Sequence, residues 1–318
     1  MSEASQTRAF VFPGQGSQVV GMGQALAEEY QTAREVFEEV DDALSQSLSR
    51  LMAEGPAEDL TLTENAQPAL MAVSLAVVRV LQKDGGVSLA DSARFVAGHS
   101  LGEYSALAAA GAFSLADAAR LLKVRGRAMQ RAVPVGQGAM AALLGLDVDA
   151  ARAIAAEVAG DRVCTAANDN APGQVVVSGH AEAVKLAVDL AADRGAKRAV
   201  MLPVSAPFHC ALMAPAAEAM LDALADVPMV APNPPVVANV LASAISDPDA
   251  IRARLVEQVT GSVRWRESVL FMKDEGVTTL VELGTGKVLS GLARRIDPAM
   301  KGISVQTPKD IEGFLASM

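Results

Sequence analysis

The chain has 318 residues, a formal net charge of -10, and 51% hydrophobic but only 3% aromatic residues. That length accommodates a large core, in one big domain or a main domain with an insert, and the core must be built from Ala, Val, Leu and Met. Periodic segments with 20% charged residues exclude a disordered chain, and the acidic balance gives no support to nucleic-acid binding.

The N-terminal MSEASQTR has no apolar leader core, and the longest apolar run, ALMAVSLAVV, stops at Arg79. Neither secretion nor membrane spanning is expected, and the cytoplasm is the expected location. Two cysteines, Cys164 and Cys210, form no CxxC and read as reduced thiols. AFVF (9–12) predicts a strand entering the loop PGQGSQ, with helices over about 21–52 and from Pro68 to Lys83. ARFVAG (93–98) predicts a strand before Gly-His-Ser-Leu-Gly and an alanine-rich helix that ends at Gly111. Strands alternating with amphipathic helices predict an α/β fold with a mainly parallel sheet.

Between 136 and 204 the pattern changes. GAMAALLGL, RVCTAAN, QVVVSG and KRAVMLPV read as strands, with helices after the first and third. That β-α-β-β-α-β order predicts a ferredoxin-like subdomain inserted into a core formed by 1–135 and 205–318. Toward the C-terminus, TTLVELG, a helix after Lys287 and GISV continue the core.

Gly98-x-Ser100-x-Gly102 between a strand and a helix is the pattern of a nucleophile elbow, which makes the core α/β-hydrolase-like. The two glycines suit the close approach of strand and helix. The amide of Leu101 points where an oxyanion would form. An ordinary β-α turn with a serine N-cap has the same spacing. A nucleophilic serine needs a base, and of three histidines His209, in VSAPFHCALM, is the best candidate. His99 adjoins the serine and should point elsewhere, His180 reads as a capping or surface residue, and Cys210 reads as a packed thiol. The usual place for a triad acid holds Asp161, Asp169, Asp189 and Asp193, all in the inserted unit; a backbone carbonyl could orient the imidazole instead.

The helix SLADAARLLKVRGRAMQRAV opens with a Ser114-x-x-Asp117 capping box. Arg120, Lys123, Arg127 and Arg131 fall on one solvated stripe, whereas Arg125 falls on the apolar face. A guanidinium there needs an anionic partner, either a structural carboxylate or a substrate carboxylate held bidentately. GQGSQVVG fails the dinucleotide fingerprint at Val19, and GTGKV lacks the first glycine and the Ser/Thr of a P-loop. The Gly-Gln-Gly turn better suits an amide donor, that of Gln15, facing the elbow.

FPGQGSQ, ENAQPAL, GHSLGEYSAL, KVRGRAMQ, SAPFHCALM and ELGTGKVLSGL occur in the order seen in malonyl-CoA:acyl-carrier-protein transacylases, and the chain resembles that family over nearly its whole length. The resemblance implies that Ser100 is acylated, with His209 as its base. It implies an oxyanion hole from the amides of Gln15 and Leu101, Arg125 on the malonyl carboxylate, and the carbonyl of Gln258 orienting His209. Phe208 looks like the malonyl-selective form, and Asn168 matches a residue near the acyl pocket. The implied substrates are malonyl-CoA and the phosphopantetheine thiol of holo acyl carrier protein, with no metal and no bound cofactor. Acyl carrier proteins are acidic as a family, so docking would use a local basic patch. The Arg120 stripe and the group Lys287, Arg294 and Arg295 are the two candidates. A discrete, monomeric enzyme is expected. The rival readings are an esterase or thioesterase, which leaves Arg125 idle, and a nucleotide-binding module, which leaves the elbow unexplained.

Overall fold

A computed structural model describes residues 7–204 and 206–318. Most of the N-terminal stretch read for a leader, and Ser205, the first residue of the second core segment, lie outside the described residues. The larger sheet contains β1 (Arg8–Phe12), β2 (Phe95–Gly98), β7 (Val236–Ala238), β8 (Ser243–Ile245), β9 (Thr279–Leu283) and β10 (Lys301–Val305). Its order is β10-β9-β1-β2-β7-β8. All neighbours run parallel except β7 and β8. AFVF is buried at every position, as a central parallel strand covered on both faces must be.

A second sheet comprises β3 (Gly138–Leu144), β4 (Cys164–Ala171), β5 (Gln174–His180) and β6 (Arg198–Met201), antiparallel in the order β4-β5-β3-β6. The helices Val148–Ala159 and Ala181–Asp193 follow β3 and β5. Its own core is small and aliphatic, with Ala141, Leu143, Ile154, Val175, Val177, Val184 and Ala187 packed together. Alternation along β3 sends Ala141 and Leu143 into that core and Met140 into the main one. Asn168 of β4 also pairs in an isolated parallel bridge with Val263, which lies between the helices Pro248–Thr260 and Trp265–Asp274.

Three stretches depart from expectation. The 21–52 segment is three helices, Gln24–Glu29, Gln31–Leu44 and Leu48–Glu54, interrupted where Tyr30 is extended and Ser45 is left-handed at φ 48°. The next long helix begins at Thr63 rather than Pro68, so Pro68 sits inside it and deprives the Glu64 carbonyl of its i+4 donor. β7 and β8 were not expected, because three-residue strands are too short to show a period. The Ser114 cap is present, its hydroxyl accepting from the Asp117 amide at 3.0 Å.

The elbow glycines set a stability prediction. A Cβ on Gly98 would lie 1.9 Å from the backbone carbon and oxygen of Gly102, so Gly98→Ala must push strand and helix apart. Gly291, on the exposed face of the helix Val288–Ile296, has nothing within 4 Å of its added Cβ. Thermal unfolding should show a large loss of Tm for Gly98→Ala. Gly291→Ala should gain about 0.5–1 kcal/mol. Equal effects at the two sites would refute the close-approach argument.

Candidate active site

β2 ends at Gly98, the helix Gly102–Ala109 begins four residues on, and Ser100 between them is held at φ 54°. A left-handed non-glycine costs about 1–2 kcal/mol, so the surroundings must hold it. They do so through Asn239, which follows β7. Its Oδ1 accepts from the Ser100 amide at 2.8 Å and its Nδ2 donates to the Gly98 carbonyl at 2.6 Å. Gly102 is equally constrained, since a Cβ there would meet the Phe12 carbonyl oxygen at 2.2 Å.

His209 also has a positive φ, 59°, and is 3% exposed. Its Nε2 lies 2.8 Å from Ser100 Oγ and its Nδ1 2.9 Å from the Gln258 carbonyl. A carbonyl only accepts, so Nδ1 carries the proton and Nε2 offers its lone pair to the serine hydroxyl. Burial, and next the Arg125 charge, push the imidazole down to about 3. The imidazole is therefore neutral in the resting site.

Arg125 lies on the helix Leu115–Ala132 and is 1% exposed. The next residue, Gly126, lets this helix close on the Thr63–Lys83 helix, for a Cβ there would meet Glu64 Cα at 2.5 Å. That approach brings Arg125 Nη1 within 2.8 Å of Gln67 Oε1. Nη2 donates to Gln258 Oε1 at 3.0 Å and to Ser100 Oγ at 3.1 Å. The guanidinium carbon sits 5.6 Å from the Tyr104 ring centroid, and Nε has no hydrogen-bond partner among the described residues. All three acceptors are neutral, and burial pushes the Arg125 pKa down. The structural-carboxylate alternative thus finds no ion pair at Arg125 among the described residues.

These groups open onto a cavity of about 620 Å³. Gln15, Leu101, Asn168 and Phe208 all line it, with Met129, Met140 and Leu202 supplying apolar wall. His99 lines it too, its Nε2 2.8 Å from Asn170 Oδ1 and its ring centroid 5.9 Å from that of Trp265. It turns away from the serine, as expected. His180 occupies the N-cap position without capping; its Nδ1 instead accepts from the Val163 amide at 2.9 Å. Cys210 is fully buried, with its thiol donating to the Pro207 carbonyl and its pKa raised by burial.

None of the four aspartates reaches the imidazole, whose ring nitrogens meet a hydroxyl and a carbonyl. Asp169 pairs with Arg266 at 2.8 Å, and Asp161, Asp189 and Asp193 are exposed. The basic stripe is corrected at Lys123, which is buried and pairs with Glu64 at 3.0 Å. The close helix packing that seats Arg125 covers it. Arg127 shares that carboxylate at 2.8 Å, and Arg120 pairs with Asp117 at 3.3 Å. Lys287, Arg294 and Arg295 are exposed, Arg295 bonding Gln174 at 2.7 Å. The GTGKV turn holds an anion of its own. Glu282 accepts from the amides of Leu289 and Ser290 at 3.1 and 2.8 Å, filling the helix N-terminus that a phosphate would need.

Sequence reasoning passed over Asn239, Glu103, Gln67 and the side chain of Gln258. Glu103 carried a signal: it is the one charged residue of GEYSALAA, an otherwise small and apolar helix, and such a charge is buried only for a purpose. It is 1% exposed. Asn239 gave none, because its strand was not recognised. Among the described residues no cluster of three or more His, Cys, Asp or Glu forms a metal site, and no helix is long and apolar enough to cross a membrane.

The acyl transferase domain family matches residues 9–295. A malonyl CoA-acyl carrier protein transacylase from Escherichia coli strain K12 is 49% identical over 308 residues, covering 96% of this chain and 98% of that protein. Its namesake from Bacillus subtilis strain 168 is 47% identical over 305 residues, covering 96% and 95%. The crystal structure of an acyl-carrier-protein-S-malonyltransferase from Bartonella henselae superposes with a TM-score of 0.95 at 58% identity, covering 98% of both chains. By sequence over nearly its full length, and by fold, this chain belongs to the acyl transferase family, among the malonyl CoA-acyl carrier protein transacylases.

Proposed function

We propose that the protein moves a malonyl group from malonyl-CoA to the phosphopantetheine thiol of acyl carrier protein through a malonyl ester on Ser100. One observation carries the site assignment. A buried arginine, whose acceptors among the described residues are all neutral, shares a hydrogen bond with the hydroxyl that His209 also contacts. A carboxylate on the acyl group supplies the missing anion and places the thioester carbonyl beside that hydroxyl.

In the first half-reaction Ser100 Oγ attacks the thioester carbon while its proton passes to His209 Nε2. The amides of Gln15 and Leu101 receive the oxyanion. Collapse breaks the C–S bond, and the leaving thiolate takes the proton from His209. The second half-reaction reverses these roles, with the carrier thiol as nucleophile and Ser100 Oγ as leaving group. The Gln258 carbonyl holds the imidazolium formed in each half, so no acid is needed behind it. Phe208 and Asn168 bound the acyl chamber. This reading includes an α/β-hydrolase-like core over 1–135 and 205–318, a ferredoxin-like subdomain over 136–204, a monomer, and a cytoplasmic location. Carrier docking uses one of the two basic groups, and Lys287, Arg294 and Arg295 are the freer of them.

Intact-mass analysis tests the reading. Malonyl-CoA should add one malonyl group, mapped to the peptide containing Ser100, and holo carrier protein should remove it. An adduct on Cys210, or rapid release to water without carrier, would replace it with another nucleophile or with the thioesterase reading.

The depressed His209 pKa gives a pH prediction. A base acts only when neutral, and this one protonates only as pH falls through its folded value of about 3. The kcat/KM for acetyl-CoA, which reports the free enzyme and makes no demand on Arg125 or on the buried Glu103 carboxyl, pushed up to about 7 by burial, should stay level from pH 8 to pH 5. An ordinary histidine with a pKa near 6.5 would lose roughly 30-fold by pH 5. Initial rates across that range decide between them.

A further inference from the structure

Glu103 sits in the first turn of the elbow helix and touches neither cavity nor hydroxyl. Its Oε2 accepts two hydrogen bonds, from the Asn239 amide and from Gln258 Nε2, both at 2.9 Å. Gln258 Nε2 donates as well to the Ser100 carbonyl at 3.1 Å, while Gln258 Oε1 accepts from Arg125 Nη2 at 3.0 Å. Gln258 is completely buried. Its side-chain amide is thus a bridge with a carboxylate at one end and a guanidinium at the other.

The direction of that bridge is set by Glu103. Glu103 Oε2 accepts from both of its partners and a guanidinium only donates, so the amide has one satisfactory orientation, NH₂ toward Glu103 and oxygen toward Arg125. Without the carboxylate, the NH₂ end keeps only the Ser100 carbonyl and a long 3.4 Å approach to Asn239 Oδ1. A flipped amide would present donors to a donor and release one arm of the Arg125 fork. Asn239, whose backbone Glu103 also holds, is the residue that clamps the Ser100 amide. Glu103 makes no ion pair with Arg125, so the guanidinium is held in place through a neutral carbonyl and its charge stays available to the cavity.

We propose that Glu103 is a positioning residue for selectivity: through the Gln258 side-chain amide it fixes the guanidinium of Arg125 in the orientation that receives the acyl carboxylate. This rests on the malonyl-transfer reading above. Loss of folding or of active enzyme would lower malonyl and acetyl transfer together. Loss of this orientation raises KM for malonyl-CoA and spares acetyl-CoA.

The experiment measures kcat and KM for both thioesters in wild type, Glu103→Ala and Glu103→Gln, with active-site titration by intact mass. Glu103→Ala should lower the malonyl-to-acetyl ratio of kcat/KM about 10-fold, the weight of one hydrogen bond to a charged group, mainly through malonyl KM. Glu103→Gln keeps an oxygen where Oε2 stands and should recover most of the ratio. A ratio unchanged in Glu103→Ala, with rates falling equally for both substrates, would overturn the proposal. Should Glu103→Ala not fold, Glu103→Asp takes its place, since it draws the carboxylate one methylene away from Gln258 Nε2: a lowered malonyl-to-acetyl ratio supports the proposal, and an unchanged ratio overturns it. Failure of the malonyl-transfer reading is a separate result, seen as no malonyl adduct on wild-type Ser100.

Discussion

Replacing His209 by alanine is expected to lower malonyl transfer by about 100- to 10,000-fold, the range for losing a positioned general base. Among the described residues the imidazole is the one acceptor placed for the Ser100 proton. The remaining contact on that oxygen, Arg125 Nη2, is a donor and cannot take its place. Both half-reactions use the same nitrogen, so the loss should appear in serine acylation and in transfer to the carrier alike. Rapid-quench intact mass follows the two steps separately, and circular dichroism checks folding. Asp169→Asn is the companion measurement. Its carboxylate pairs with Arg266 rather than with the imidazole, so transfer should stay within a few-fold of wild type once folding is matched. A collapse of activity in Asp169→Asn with an intact fold would restore an acid-based triad.

Arg125→Ala should slow malonyl transfer by roughly 10- to 150-fold in kcat/KM, the value of a hydrogen bond to a charged group. Acetyl transfer should hold or rise, because the variant removes a buried charge that an acetyl group leaves without an anion. The carboxylate held by Arg125 also places the malonyl thioester carbonyl beside Ser100, which Arg125 contacts, so malonyl kcat should fall along with any rise in KM. Arg125→Lys should recover only part of the loss, since an ammonium cannot span two acceptors as a planar fork does. Equal losses for both thioesters would make Arg125 a structural residue and remove the main physical support for a carboxylated acyl group.

The elbow was legible because glycine spacing reports backbone crowding directly: Gly98 and Gly102 each stand where a Cβ would strike main chain. Arg125 was legible from helical periodicity alone, since its neighbours in the helix placed it inward. Lys123 misled for the same reason. A wheel drawn on one helix does not show how far the neighbouring helix reaches, and here Gly126 brings it close enough to cover Lys123. His209 came by elimination among three histidines, but its partner did not, because a backbone carbonyl leaves no mark in a sequence. Asn239 was hidden for a different reason. The strand before it is three residues long and its function depends on a contact 139 positions away, a separation that local pattern cannot report.

The cavity takes its walls from two sources. Ser100, Arg125 and His209 stand on the side of the parallel sheet, while Met140 and Asn168 belong to β3 and β4 and Leu202 directly follows β6. The four antiparallel strands come from one uninterrupted run of chain, bridged at Asn168 to Val263 between two helices that follow the run. Exchange of that single run between homologous genes would re-line the chamber and leave the nucleophile, its base and its arginine on their own scaffold. Acyl preference can therefore diversify by recombination at two breakpoints, without the serine corner having to be reinvented.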